Sequence, residues 1–202
     1  MKKKLLIFGK SEFFIKLVKK KYSKYKIYIT SWHNPNIFLK FDIIFICGFD
    51  YSAYQKDYKS FIKSNYSKPL NYLRKIKKNK TKVIYINTLL GNKNYSFSRY
   101  YFVKHLLAKR IIKEFLNNNI INIPTIYNNK NLFIRGDYVS KIIFKLLIKL
   151  NFIKTINLNQ LNNILNMNNV NYLYKQSKSI KGILLKIPRN IFIDRLLRIL
   201  IG

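Results

Sequence analysis

Tyr100 and Lys104 stand four residues apart in the stretch Ser98-Arg99-Tyr100-Tyr101-Phe102-Val103-Lys104-His105-Leu106-Leu107-Ala108. If that stretch is helical, the spacing places a phenol and an ammonium on one face. An ammonium beside a phenol favours the phenolate and lowers a pKa that is normally about 10. Tyrosine then becomes usable as a proton donor or acceptor near neutral pH. The spacing alone is not selective. The chain has 16 Tyr, and chance supplies roughly two to three Tyr-x-x-x-Lys pairs in such a composition. Tyr22/Lys26 and Tyr174/Lys178 repeat the pattern. The middle pair differs in what precedes it. Lys82-Val83-Ile84-Tyr85-Ile86-Asn87-Thr88 is an apolar run of strand length that closes on a hydroxyl residue.

The flanking segments supply the elements that must position this pair. Residues 5–8 form a short apolar run ending at Gly9, the pattern of a buried strand. Phe14, Ile15 and Val18 recur at helical spacing after Ser11, a candidate N-cap. Residues 25–30 alternate as a second strand, and residues 41–48 are apolar enough for a strand buried on both faces. Residues 51–78 are mostly helical in spacing, with Pro69 at a helix start or kink. Residues 97–116 form a helix with Val103, Leu106, Leu107, Ile111 and Phe115 inward, ended by Asn117-Asn118-Asn119. A short strand follows at 120–123, and Gly136 precedes a helix with Val139, Ile142, Ile143, Leu146, Leu147 and Leu150 inward. Strands alternating with helices predict a parallel sheet covered on both sides.

Composition bounds the partners. A length of 202 residues suits one main domain with a sizeable core. The formal charge is 40 − 7 = +33, which raises nucleic acid or an anionic membrane. Lysine, asparagine, isoleucine, tyrosine and phenylalanine share A/T-rich codons, and lysine far outnumbers arginine, the residue suited to phosphate and base recognition. The charge is therefore assigned to coding bias ahead of a nucleic-acid footprint, and nucleic acid is not the expected partner. The single Cys47 cannot form an internal disulfide and sits in an apolar run, so a core residue in a reducing, cytoplasmic setting is expected. His33 and His105 lack ligand spacing, so no metal is expected. The run at 5–8 is too short for a signal peptide, and no stretch reaches the length of a membrane span. The tail at 187–200 has the pattern of a basic amphipathic helix. Packing onto the body is favoured, with peripheral contact to an anionic membrane as the competing role.

The order of these pieces resembles an extended short-chain dehydrogenase/reductase, the NAD-dependent epimerase/dehydratase family, over roughly residues 3–150. The likeness rests on the turn after Leu5-Leu6-Ile7-Phe8-Gly9, on Phe41-Asp42-Ile43-Ile44-Phe45, on Ser64-Asn65-Tyr66, on Val83 to Thr88, on Pro124-Thr125-Ile126-Tyr127 and on Phe133-Ile134-Arg135-Gly136-Asp137. It implies a Rossmann-like α/β fold, a doubly wound parallel sheet over residues 1–153, with an abbreviated C-terminal substrate region at 154–202. It implies Tyr100 as acid/base, Lys104 as the residue that holds the nicotinamide ribose and tunes the phenol, and Thr88 as hydrogen-bond partner of the reacting oxygen. Gly9, Lys10 and Ser11 would form the turn at the pyrophosphate, with Pro124 beside the nicotinamide. NAD or NADP would carry the hydride, a nucleotide sugar would be the substrate, and a homodimer is compatible. Surface-polysaccharide synthesis is the implied setting. The chain departs from the family at Glu12 and Ile15, which replace the second and third glycines, and after Thr30, where Ser31 and Trp32 replace the ribose-binding acid. Those departures keep a second reading open, a non-catalytic binding or partner module. A basic nucleic-acid-binding protein is the third.

Overall fold

A computed structural model provides the coordinates. The structure describes residues 2–88, 98–123, 125–128, 131–132, 142, 145–146, 148–150, 155–157, 160–161, 163 and 193–194. Five strands form a parallel sheet: β1 (Lys4–Phe8), β2 (Lys26–Thr30), β3 (Phe41–Ile46), β4 (Lys77–Thr88) and β5 (Asn118–Ile123), in the order β2-β1-β3-β4-β5. The chain runs from β1 to β2 on one side, then crosses to β3 on the other. The strand order therefore reverses at β1, and a crevice at the C-terminal ends of β1 and β3 is the expected ligand position in such a sheet.

Successive side chains of a strand face opposite sides of the sheet. Leu6, Phe8, Ile44, Ile46, Val83 and Tyr85 face one side and are buried under α3 (Lys68–Ile76) and α4 (Arg99–Glu114). Leu5, Ile7, Ile43, Phe45, Ile84 and Ile86 face the other, where α1 (Glu12–Lys21) adds Phe14 and Val18. The double-sided burial confirms the doubly wound arrangement and explains why β1 and β3 are continuous apolar runs. Smaller pieces follow: β6 (Thr125–Asn128), β7 (Asn131–Leu132) and β8 (Thr155–Ile156), in the order β7-β6-β8.

The region between β3 and β4 opens with a 3-10 turn at Ser52–Gln55, then α2 (Tyr58–Ile62), a π-helical turn at Lys63–Ser67, and α3. Pro69 sits in the first turn of α3. It has no N–H for the carbonyl of Asn65, and its ring would crowd that carbonyl, so the helix widens just before it. From β2 to β3 there is no helix. Residues 31–40 pass as an irregular strap instead, tied by the Tyr72 hydroxyl donating to the Ile37 carbonyl (2.6 Å) and Lys40 Nζ donating to the Lys75 carbonyl (2.7 Å).

Several expectations shift. Helix α4 ends at Glu114, and Asn118 and Asn119 belong to β5. Leu106 is half-buried, and Ala108 takes the inward place beside Leu107. Strand β4 starts at Lys77, because Thr81 Oγ accepts from the Lys78 N–H (2.6 Å) and donates to the Phe41 carbonyl (2.7 Å), pinning a polar bulge to β3. Ser11 occupies the N-cap position of α1 with extended backbone but makes no side-chain cap bond. Ile142, Leu146 and Leu150 are 42%, 54% and 63% exposed, against the expectation that they face inward. A helical apolar period fixes a face, not the partner that covers it. The expectations for residues 133–141 and for most of the 187–200 tail lie outside the described residues. Among the described residues, no helix is long and apolar enough to cross a membrane.

Candidate functional site

Tyr100 and Lys104 meet at the C-terminal edge of the sheet, where α4 leans on β4. Helix α4 starts after Ser98, whose backbone is extended and whose Oγ accepts from the Tyr101 N–H (3.4 Å), a serine N-cap. The apolar stripe Val103, Leu107 and Ile111 is fully buried and fixes the rotation of the helix. That rotation carries Lys104 inward. Its Nζ donates to the Ile86 carbonyl (2.8 Å) and lies 5.3 Å from the Tyr100 ring centre and 5.4 Å from that of Tyr85. Lys104 is 6% exposed. A buried ammonium is costly unless its charge is met. Here one carbonyl and two ring faces meet it.

The Tyr100 ring is half-buried in an aromatic group. Phe49 packs edge-on at 4.7 Å, Tyr51 lies near-parallel at 6.2 Å, and Tyr101 closes one side. Burial is the main reason that the nearby phenols of Tyr85 and Tyr54 are held well above the usual value, so both remain protonated donors. Thr88 ends β4 in register with Ile123, two positions past the carbonyl that Lys104 engages. The structure thus brings Tyr100 and Lys104 together and sets Thr88 at the end of the adjoining strand.

The first turn after β1 lies on the other side of the same edge. Gly9 has φ +130, and a Cβ there would stand 2.5 Å from Gly48 N, so only glycine lets the end of β1 close onto β3. Gly9 N–H donates to the Thr30 carbonyl, and the N–H groups of Cys47 and Gly48 both donate to the Phe8 carbonyl, each at 3.0 Å. Burial pushes the Cys47 thiol up to about 12, and a hydrogen bond from the Ser11 backbone and the charge of Lys104 only partly offset it. Cys47 is therefore an inert thiol. Ser11 is half-buried, while Lys10 and Glu12 are exposed. Pro124 lies outside the described residues.

These residues fit a dinucleotide at two of three places. The turn at Gly9 leads into the uncapped N-terminus of α1, where an anion is favoured, and the exposed Glu12 points its charge to water. Lys104 and Tyr100 stand where a nicotinamide would be expected. At the adenosine end, after β2, Ser31 and then Trp32 stand where a ribose-binding acid would be needed. The Trp32 ring covers Gly48, stacks on Phe8 at 4.6 Å, and leaves a buried Nε1–H with no hydrogen-bond partner among the described residues.

Of the residues that support the site, sequence reasoning named Asn65 only as part of the resemblance and gave no role to Arg99 or Asp194. Asn65, buried in the π turn, accepts the Asp50 N–H (2.7 Å) and donates to the Asp50 carbonyl (3.0 Å), locking the segment that carries Phe49 and Tyr51. Arg99, fully buried, spreads over the rings of Tyr58 and Phe61. Asp194 reaches the start of α4 from the far end of the chain. Pro69 flags the π turn in the sequence; no local signal marks Asp194.

No protein-family model and no curated protein sequence matches the chain. A solved structure does. ADP-L-glycero-D-manno-heptose-6-epimerase from Helicobacter pylori aligns with a TM-score of 0.51 at 13% identity, over 80% of this chain and 71% of that one. The fold is Rossmann-like. A dTDP-4-dehydrorhamnose reductase from Clostridium acetobutylicum aligns with a TM-score of 0.44 at 14% identity, over 76% and 73% of the two chains. At such identities the likeness is one of fold, and function has to be argued from the site.

Proposed function

We propose that the chain is a divergent NAD(P)-dependent enzyme of the short-chain dehydrogenase/reductase kind, acting on a nucleotide sugar as an epimerase, dehydratase or reductase. The observation that carries this reading is the placement of Lys104: a buried ammonium 5.3 Å from the Tyr100 ring, held by the Ile86 carbonyl at the C-terminal edge of the sheet. Tyr100 would exchange a proton with a sugar hydroxyl or carbonyl oxygen, Thr88 would hydrogen-bond that oxygen, and Lys104 would stabilise the phenolate. The bound nicotinamide would supply or accept hydride. Gly9, Lys10 and Ser11 would face its pyrophosphate, with Lys104 and Pro124 at its nicotinamide end. The likeness in fold to the ADP-heptose epimerase supports the substrate class, and surface-polysaccharide synthesis in the cytoplasm is the setting we infer from it.

Trp32 favours a second reading. Its ring occupies the surface of Gly48 just past the end of β3, and an indole that does not yield would make the chain a non-catalytic binding or partner module. Trp32 is also the only tryptophan, which supplies the test. NAD(H) and NADP(H) are titrated against its fluorescence. Saturable binding that weakens in Lys104→Met supports the enzyme; no change up to millimolar dinucleotide sinks it.

A further inference from the structure

An α-helix leaves the N–H groups of its first turn without partners inside the helix. In α4 three of these are accounted for. Tyr101 donates to Ser98 Oγ (3.4 Å), while Arg99 and Tyr100 donate to Asp194, at 2.9 Å to Oδ1 and 3.4 Å to Oδ2. The same carboxylate accepts from the Ser98 hydroxyl (2.6 Å) and the Tyr54 hydroxyl (3.2 Å). Asp194 is 1% exposed and Ser98 is 0% exposed, so these bonds are shielded from water. A carboxylate at a helix N-terminus is the favourable sign, and charge-assisted bonds in a dry setting are the strong ones.

From this geometry we infer that Asp194 is a positioning residue for Tyr100. It clamps the first turn of α4 to the 3-10 turn of Tyr54, and it sets a negative charge against the backbone N–H of Tyr100, while the ammonium of Lys104 lies at the ring. The functional meaning rests on Tyr100 being the acid/base. The carboxylate makes Asp194 part of the site, since without it the turn that carries Tyr100 loses two of its anchors. The titratable groups facing Tyr100 are Lys104 and Tyr101 from α4, Tyr51 and Tyr54 from the segment after β3, Tyr85 from β4, and Asp194 at its backbone. Lys104 and Asp194 act on the phenol with opposite sign: the ammonium stabilises the phenolate and the carboxylate disfavours it.

The test is a pH titration of the whole chain carrying ¹³Cζ-labelled tyrosine, followed by NMR, with the Tyr100 signal assigned through Tyr100→Phe. Asp194→Asn keeps the size and one acceptor but removes the charge. It is expected to lower the Tyr100 midpoint by about 0.5–1 unit, Lys104→Met to raise it, and Asp194→Glu to restore the wild-type value. An unchanged midpoint in Asp194→Asn beside a lowered melting temperature shows a cap and nothing more, and overturns the inference. A second measurement needs no variant. The amide protons of Arg99 and Tyr100 should exchange far more slowly than in an unfolded chain; free exchange overturns the clamp. Neither experiment contains a dinucleotide, so a failure to bind NAD(P) would end the enzyme proposal and leave this one standing.

Discussion

Gly48 meets Trp32 so closely that a methyl group has no place between them. A Cβ at Gly48 would lie 2.3 Å from Trp32 Cε3 and 2.8 Å from Cδ2. Among the described glycines only Gly9 has a positive φ, so the cost of Gly48→Ala is steric and not conformational. The indole cannot slide freely, because it is 6% exposed and stacked on Phe8 at 4.6 Å. Overpacking of this kind costs about 1–3 kcal/mol. For a domain of this size each kcal/mol lowers the melting temperature by about 2–4 °C, which gives a fall of about 2–12 °C. Trp32→Ala removes the obstacle and costs about 3–5 kcal/mol through the cavity it leaves. In that background Gly48→Ala should cost almost nothing. Urea unfolding of the four proteins, followed by far-UV circular dichroism, measures the coupling directly. Additivity within roughly 0.5 kcal/mol would refute the contact and, with it, the account of the covered crevice.

Two more outcomes follow from the supports of the site. Asn65→Ala strips the Asp50 backbone of both its partners in a residue that is 2% exposed. The expected loss is about 1–3 kcal/mol in urea unfolding, and a loss below the error of the extrapolation would contradict the clamp. Glu114 is bonded to Arg74 first and to Arg110 second, and together they hold its carboxyl at about 2 against an ordinary 4.5. Because the folded value is depressed, its contribution is complete above about pH 4.5 and is lost as pH falls toward 2. Solvent screening reduces it to about 1 kcal/mol. Melting temperatures of Glu114→Gln and the parent should differ at pH 7 and converge only as pH falls to about 2; an equal gap at both would speak against the pairing.

The parts of the fold visible in the sequence were those set by local period. β1, β3 and the second half of β4 are apolar runs because both faces of the sheet are covered, and α4 announces itself through Val103, Leu107 and Ile111. The pair Tyr100 and Lys104 was visible for the same reason, since one helical turn separates them. What was hidden depends on distance along the chain. The Lys104 partner is the Ile86 carbonyl, a backbone atom that no motif marks. Phe49 and Tyr51 reach Tyr100 from an irregular segment with no period at all. The charged start of β4, Lys77 to Lys80, has the composition of a loop and becomes part of the strand only through the Thr81 hydroxyl.

The charge distribution separates the readings that composition left open. The chain holds 40 Lys and Arg, and a nucleic-acid reading needs them at the surface, where phosphates can reach. Among the described residues two cations are buried, Arg99 and Lys104, and they flank Tyr100 on the same helix. Burying either is unfavourable without compensation. The fold supplies it in kind: a carbonyl and two aromatic rings for each, from Lys56, Tyr58 and Phe61 around Arg99, and from Ile86, Tyr85 and Tyr100 around Lys104. Coding bias accounts for lysines left in water, where almost any polar residue is tolerated. It does not account for a lysine buried between α4 and β4 with its ammonium on a backbone carbonyl. The acids argue the same way. With only 7 Asp and Glu in the chain, three are spent where helical turns begin: Asp50 on Ala53, Asp57 on Ser60 and Asp194 on α4. One of those three lands on the turn that carries Tyr100. A buried ammonium at the ring of Tyr100, and a buried carboxylate on the backbone of the turn that carries it, are features that lysines left in water by coding bias do not require.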